Sequence, residues 1–223
     1  MTRRSLRLLS FVAAFAAFSG RAALAQDSLS LTNIDREVAT RLTHIVDSAR
    51  ARGLPTSPII AKISQGVLLH SAPERIVVAA QNVALRLEDA RNALAPKPTW
   101  ADIAAGENAL GVDGVTKAAL QAVRATSPNR PVAVPIALLA QLVASKIPVE
   151  RATQIVKELI RRGASNTQFS KLGNDVYSDV GHGARAIASL DVRLQGLTAV
   201  LAPVGAQGTS ADGLQSASGP KKP

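Results

Sequence analysis

The chain contains no cysteine and few aromatic residues: one tryptophan, one tyrosine and four phenylalanines among 223 residues. Without cysteine, a small scaffold held together by disulfides is excluded, and the stability of the fold has to come from a packed core. Only Trp100, Phe169 and Tyr177 lie beyond the first 25 residues. These aromatic residues are too few to form a platform on which bases stack, so we do not expect nucleic acid as a partner.

The first 25 residues have the three parts of a cleavable export signal. Three arginines within the first seven residues form a basic start, residues 8–20 form an uncharged and mostly apolar run, and an Ala-x-Ala site ends at Ala25. The apolar run is shorter than the ~20 residues that span a bilayer. We therefore expect cleavage before Gln26, a periplasmic or secreted mature protein, and no stable membrane anchor after cleavage.

The start of this signal resembles that of bacterial twin-arginine signals. Arg3 and Arg4 are adjacent, the apolar Leu6 follows two places after the pair, and Arg21 places a base close to the cleavage site. The resemblance covers the signal alone, and it implies that the protein folds before it is exported. The full consensus is not met, so a general secretory signal with adjacent arginines is the alternative.

The formal charge of the whole chain is strongly positive, but much of it belongs to the signal. Four of the 26 lysines and arginines lie in the first 25 residues and none of the 16 acids does, so the charge falls from +10 to +6 on cleavage. The remaining bases are scattered through helical segments and are usually accompanied by acids. A solvated surface is therefore expected rather than one continuous basic face.

Apolar residues recur with helical spacing along the mature chain, and no run alternates convincingly with period two. The clearest helix is predicted over Thr32–Arg52, with Gly53 as its end. Further helix starts are predicted from caps and prolines: Thr32 with Asp35, Ser57 before Pro58, Ser71 with Glu74, Thr99 with Asp102, Asp113, Val134, Pro148, and Ser165 with Gln168.

These patterns predict an all-α domain over residues 26–202, with eight or nine helices packed as successive antiparallel pairs. Residues 203–223 are rich in Gly, Ser, Ala and Gln, which predicts a disordered tail. The turns within pairs fall near Ala72, Val112, Ile147 and His182, roughly 35 to 40 residues apart, a period typical of stacked helix pairs. A degenerate α-solenoid-like stack and a set of unrelated helical hairpins both fit this spacing. The tetratricopeptide and ankyrin patterns are absent.

Two patterns could carry metal or nucleotide chemistry. His44 lies one turn from Asp47, but a metal site needs several converging ligands, and a polar helix face is the simpler interpretation. The sequence from Gly181 to Ala186 matches a relaxed dinucleotide fingerprint. That fingerprint requires a preceding strand, whereas residues 169–180 are predicted to be helical, so a glycine hinge is the better interpretation.

Acid pairs are the remaining candidates for catalysis. Asp175 and Asp179 are one helical turn apart and could both face a groove, and Glu88 is adjacent to Asp89. Solvated helix faces explain both pairs equally well. The sequence has no Gly-x-Ser-x-Gly motif for a nucleophile. We therefore assign no catalytic residue, no cofactor-binding residue and no metal ligand from the sequence, and we expect no cofactor.

The leading interpretation is an exported, non-enzymatic helical interaction or scaffold protein of the periplasm or cell envelope, with a protein or peptide as its partner. One alternative is an envelope hydrolase whose acids meet only in the folded chain. The other is a binder of anionic envelope polymers. A wide apolar groove would favour the first, a cleft with Asp175, Asp179 or His44 the second, and a continuous Lys/Arg face the third.

Overall fold

The computed structural model describes residues 35–201, and this part of the chain is entirely α-helical without strands, which confirms the predicted class. The predicted signal peptide, the predicted tail and Thr32 lie outside the described residues. The described part contains nine helices: α1 Arg36–Ala51, α2 Ser57–Leu68, α3 Pro73–Ala93, α4 Trp100–Leu110, α5 Lys117–Thr126, α6 Ala133–Ala144, α7 Val149–Arg161, α8 Asn166–Gly181 and α9 Ala186–Val200.

The helices form two rows, and within each row a helix packs against the helix two places further along the chain. Helices α1, α3, α5 and α7 lie side by side in one row, and α4, α6 and α8 lie side by side in the other. The rows are joined by packing between α3 and α4 and between α6 and α7, while α2 packs on α3 and α9 packs on α8. This arrangement is consistent with a helical stack.

Two of the predicted capping boxes are present. The Thr99 hydroxyl and the Asp102 carboxylate each accept a hydrogen bond from the other residue's backbone N–H at the start of α4, both at 3.1 Å. Ser165 and Gln168 make the equivalent pair of bonds at the start of α8. A Ser or Thr followed three residues later by an acid or an amide therefore predicted both N-cap residues correctly.

Three other predicted helix starts are wrong by one to three residues. The N-cap of α1 is Asp35, whose carboxylate accepts from the Glu37 N–H at 2.8 Å. The N-cap of α2 is Thr56, so Ser57 is already helical. Helix α5 is capped by Thr116 rather than Asp113, because a turn with Gly114 at φ +94° delays the helix.

Ser71 does not cap α3. Its backbone N–H donates to the carbonyl of Gly66 at 3.0 Å and so closes the end of α2 instead. His70, at φ +48°, provides the left-handed residue that this kind of helix end requires. Helix α3 begins after Ala72 without a side-chain cap.

The buried apolar residues form two clusters along the stack. The N-terminal cluster lies between α1, α2 and α3 and includes Ile103 of α4, and the C-terminal cluster extends from the end of α3 to α9. Leu110 packs against both clusters. Helix α6 is the most enclosed element of the C-terminal cluster, with six buried residues: Pro135, Ile136, Leu138, Leu139, Leu142 and Val143.

Helices α3 and α4 approach closely at Gly106. A Cβ atom at this position would lie 2.8 Å from the Ala90 Cβ and 3.1 Å from the Leu94 Cδ1. Ala90 has no flexible side chain that could move aside, so the two helices would have to separate. The packing of the N-terminal cluster onto the rest of the stack therefore depends on the absence of a side chain at Gly106.

We expect Gly106→Ala to lower the free energy of unfolding by about 1–3 kcal/mol, because overpacking outweighs the better helix propensity of alanine. The matched control is Gly196→Ala in α9, where a Cβ would meet no atom within 4 Å. That variant is expected to gain up to about 1 kcal/mol. Urea denaturation followed by circular dichroism measures both, and equal stabilisation of the two variants would contradict the close approach.

Candidate functional site

A pocket of about 400 Å³ lies where the loop between α1 and α2 meets the loop between α3 and α4. Trp100, the only tryptophan of the chain, lines it and is 69% exposed. The other lining residues are Gly53, Arg91, Asn92, Ala95, Pro96, Lys97, Pro98 and Ile103. We call this site the Trp100 pocket.

Local sequence explains how Trp100 is presented. Pro96 and Pro98 follow the end of α3 and cannot continue a helix, and the capping box of Thr99 and Asp102 then starts α4. Trp100 is thereby fixed as the first residue of α4. Ile103, one turn later, is buried and belongs to the N-terminal cluster, so the pocket is anchored to the core.

The lining of the Trp100 pocket includes two bases, Arg91 and Lys97, and no acid, while Arg52 and Glu88 contact Arg91 from outside the lining. The Glu88 carboxylate lies between two guanidinium groups, at 2.5 Å from the Arg52 Nη1 and 3.2 Å from the Arg91 Nη2. Arg91 also donates to the backbone carbonyl of Arg52 at 2.7 Å, which ties α3 to the end of α1. Lys97 has no ion-pair partner among residues 35–201, so the three bases outnumber the single acid.

A second, smaller pocket of about 220 Å³ lies at the turn between α2 and α3. Leu69 lines it, and Leu68 and Leu69 are both exposed. Its only charged lining residue is Lys62, whose ammonium group donates to Gln65 at 3.0 Å. This pocket offers apolar contact but few polar or charged groups that could distinguish one ligand from another.

The candidate acid pair on α8 is held in an ion-pair network with α9. Arg193 donates two hydrogen bonds to Asp179, at 2.9 and 3.0 Å, and the Ser189 hydroxyl donates a third at 2.6 Å. Asp175 pairs with Lys171 at 3.0 Å and with Arg193 at 3.5 Å.

These contacts decide the chemistry of the pair. The hydrogen bonds from Arg193 and then Ser189 lower the pKa of Asp179 from 3.8 to about 2. A carboxyl group that donates a proton near neutral pH needs a raised pKa, and an ion-paired carboxylate has the opposite property. The arrangement therefore suits attachment of α9 to α8 rather than acid catalysis.

The same network gives a pH dependence that can be measured. Because the pKa of Asp179 is lower in the folded chain, its contribution to stability is present above pH 3.8 and is lost as the pH falls from 3.8 to about 2. Asp175, His182 and Arg193 are the charged or titratable groups that act on Asp179 or pair with Arg193. We expect Asp179→Asn to speed hydrogen exchange of α9 relative to the unchanged protein at pH 6, and to have a much smaller effect at pH 2, where Asp179 is partly protonated. A difference of the same size at pH 2 and pH 6 would contradict the ion-pair account.

The other sequence candidates are not brought together into a site. His44 is exposed on α1, and Asp47 pairs with Arg50 at 2.5 Å. The His182 Nδ1 lies 2.7 Å from the backbone carbonyl of Ser178. Within residues 35–201, no group of three or more histidines and acids is placed to hold a metal ion.

The glycine motif from Gly181 lies between two helices. Helix α8 ends at Gly181, Gly183 has φ +94°, and α9 begins at Ala186. The strand that a dinucleotide fold places before its first glycine is therefore replaced by a helix here, as the sequence indicated. Asp89, of the other acid pair, is bound by Lys117 of α5 at 3.2 Å.

The sequence around Asp102 indicates only a capping role, whereas the fold buries this residue beside Arg124. Asp102 is 1% exposed, and its two carboxylate oxygens accept hydrogen bonds from Arg124 Nη2 at 2.9 Å, Val132 N–H at 2.7 Å and Thr99 N–H at 3.1 Å. Each oxygen of this buried carboxylate accepts at least one hydrogen bond from the protein. The arrangement therefore suits a structural role.

Comparison of the chain with protein-family models, with curated proteins and with solved structures finds no significant match. Among the helices of residues 35–201, none combines the length and the apolar character needed to cross a membrane.

Proposed function

We propose that this chain is an exported, non-enzymatic helical interaction protein of the periplasm or cell envelope, which binds a protein or peptide partner at the Trp100 pocket. The observation that carries the proposal is the exposed Trp100 beside a pocket of about 400 Å³. Tryptophan is enriched among residues that dominate binding energy at protein interfaces. Stacked helices also offer extended surfaces for partners without catalytic residues.

The two alternative functions have less support. For the hydrolase, Asp175 and Asp179 are neutralised by Lys171 and Arg193, and the lowered pKa of Asp179 opposes proton donation. For the polymer binder, most lysines and arginines of residues 35–201 form ion pairs with acids: Arg41, Arg50, Arg52, Arg86, Arg91, Lys117, Arg124, Arg151, Arg161, Arg162, Lys171 and Arg193. Paired bases attract a polyanion less than a continuous basic face does.

Site-specific photo-crosslinking tests the proposal. A photoreactive phenylalanine analogue replaces Asn92, which lines the pocket and is exposed, in the full-length chain expressed in bacteria. We expect the chain to be recovered from the periplasmic fraction with a mass that begins at Gln26, carrying a discrete crosslinked protein. Adding Trp100→Ala should reduce the crosslinked product about tenfold or more, since interface tryptophans often contribute 2 kcal/mol or more.

Tyr177 provides the matched control. It is an exposed aromatic residue on α8, outside the lining of the pocket. The same analogue at this position should give no discrete product, and Tyr177→Ala should leave crosslinking from position 92 unchanged. The proposal fails if crosslinking at position 92 does not depend on Trp100, or if the chain stays in the cytoplasm with its first 25 residues attached.

A further inference from the structure

We infer that the Trp100 pocket recognises an extended acidic peptide segment, in which a carboxylate stands next to an aromatic or proline side chain. The inference rests on the proposed function and adds the chemistry of the partner. It is carried by the charges of the pocket, by the balance of its hydrogen-bonding groups and by the shape of its apolar wall.

The side chains of the pocket mostly donate hydrogen bonds. Arg91 and Lys97 have only N–H donors, and the Asn92 amide supplies the single side-chain acceptor among the lining residues. A polyhydroxyl ligand such as a sugar both donates and accepts, so most of its own hydroxyl donors would find no side-chain acceptor among the lining residues. A carboxylate only accepts, which suits this set.

The charge of the pocket favours the same ligand. Glu88 is shared by Arg52 and Arg91, so one positive charge of this group is left uncompensated. Lys97, in the loop that follows α3, lies between Pro96 and Pro98 and adds a second one. An acidic segment that enters the pocket would therefore meet two bases, Arg91 and Lys97, and no acid among the lining residues.

The rest of the wall is apolar and rigid. Trp100, Pro96 and Pro98 present flat or ring-shaped surfaces with few rotatable bonds, and Ile103 is fixed in the core. Such surfaces pack well against an aromatic ring or a proline ring at little entropic cost.

The test uses a phage-displayed library of random heptapeptides, selected on the mature chain after depletion on its Trp100→Ala variant. We expect the enriched peptides to contain Asp or Glu beside Phe, Tyr, Trp or Pro. Because the mature chain has a single tryptophan, the intrinsic fluorescence of Trp100 then reports binding of each synthesised peptide directly. Replacing Asp and Glu of a peptide by Asn and Gln should weaken binding about tenfold.

A double-mutant cycle assigns the carboxylate to the pocket. Lys97→Gln should weaken binding of the acidic peptide several-fold and leave the amide version unchanged, because Lys97 has no ion-pair partner within residues 35–201 whose loss would disturb the fold. Raising the ionic strength should weaken only the acidic peptide.

The outcomes separate the inference from the proposed function. Enriched peptides without acids, or peptides whose affinity does not change when acids become amides, would overturn the inference while Trp100-dependent binding still stands. A selection that enriches nothing dependent on Trp100 would also overturn the inference, and the crosslinking of position 92 then decides the proposed function by itself.

Discussion

Replacing Asp102 with alanine is expected to lower the free energy of unfolding by about 3–5 kcal/mol, the range observed when one partner of a buried ion pair is removed. Asp102 is 1% exposed and Arg124 is 6% exposed, so water cannot replace the lost carboxylate. Arg124 would be left as a buried, uncompensated cation. Its remaining hydrogen bonds, to the carbonyls of Ser127 and Arg130 at 3.3 and 3.0 Å, do not neutralise its charge.

The effect of Asp102 reaches beyond this ion pair. Its Oδ1 accepts from the Val132 N–H at 2.7 Å and so holds the loop before α6 against α4. Without it, a buried backbone donor of Val132 loses its partner, which adds to the cost. The buried Nε of Arg124 has no hydrogen-bond partner in the described part of the chain, so the cluster offers no spare acceptor there to compensate.

Two variants separate the buried charge from the helix cap. Thr99→Ala removes the other half of the capping box and should cost only about 1 kcal/mol. The double variant Asp102→Leu with Arg124→Met replaces the ion pair by apolar groups and should be more stable than Asp102→Ala alone. Urea denaturation at pH 7 measures all three, and a loss for Asp102→Ala no larger than that for Thr99→Ala would show that the ion pair contributes little.

The helices themselves could be predicted because their signals are local. Thr99 with Asp102 and Ser165 with Gln168 are capping boxes three residues apart, and both start helices as predicted. The apolar spacing of 3.6 residues likewise requires no knowledge of the rest of the chain. The predicted cap at Asp113 is wrong because a turn with Gly114 in the left-handed region comes before the helix.

The role of Asp102 in the core could not be predicted, because its partners are distant in sequence. Arg124 lies 22 residues away and Val132 lies 30 residues away. The capping-box pattern explains only the hydrogen bond that Asp102 accepts from the Thr99 N–H. Nothing in the neighbouring sequence indicates that Asp102 is buried. The acid pair on α8 is a similar case, since Arg193 of α9 lies 14 residues beyond Asp179 and decides its pKa.

The Trp100 pocket likewise depends partly on local sequence and partly on contacts between residues that are distant in sequence. The prolines and the capping box around Trp100 place it at the start of a helix, which could be predicted. Its exposure depends on how the loop at Gly53 packs near the end of α3. That packing is fixed by the bond from Arg91 to the carbonyl of Arg52, which joins residues 39 positions apart. A helical period carries no information about such a contact.

Replacing Leu139 with alanine is expected to cost about 3–5 kcal/mol, since Leu139 is fully buried at the centre of the C-terminal cluster. It lies on α6, which packs against α4, α7 and α8, and so the cavity would be enclosed on several sides and could collapse little. In a stack where each helix contacts mainly its neighbours, such a loss should be local first. Hydrogen exchange should therefore increase strongly in α6 to α8 and only weakly in α1 and α2, which belong to the N-terminal cluster.

Two controls make this expectation specific. Leu85→Ala on α3 removes the same side chain where it is 62% exposed, and should change stability by less than about 0.5 kcal/mol. Ile63→Ala in α2 removes a fully buried residue of the N-terminal cluster, and should reverse the pattern of exchange. If Leu139→Ala and Ile63→Ala both raise exchange equally along α1 to α8, the two clusters unfold as one cooperative unit. The close contact of Gly106 with Ala90 would then be strong enough to couple the whole stack.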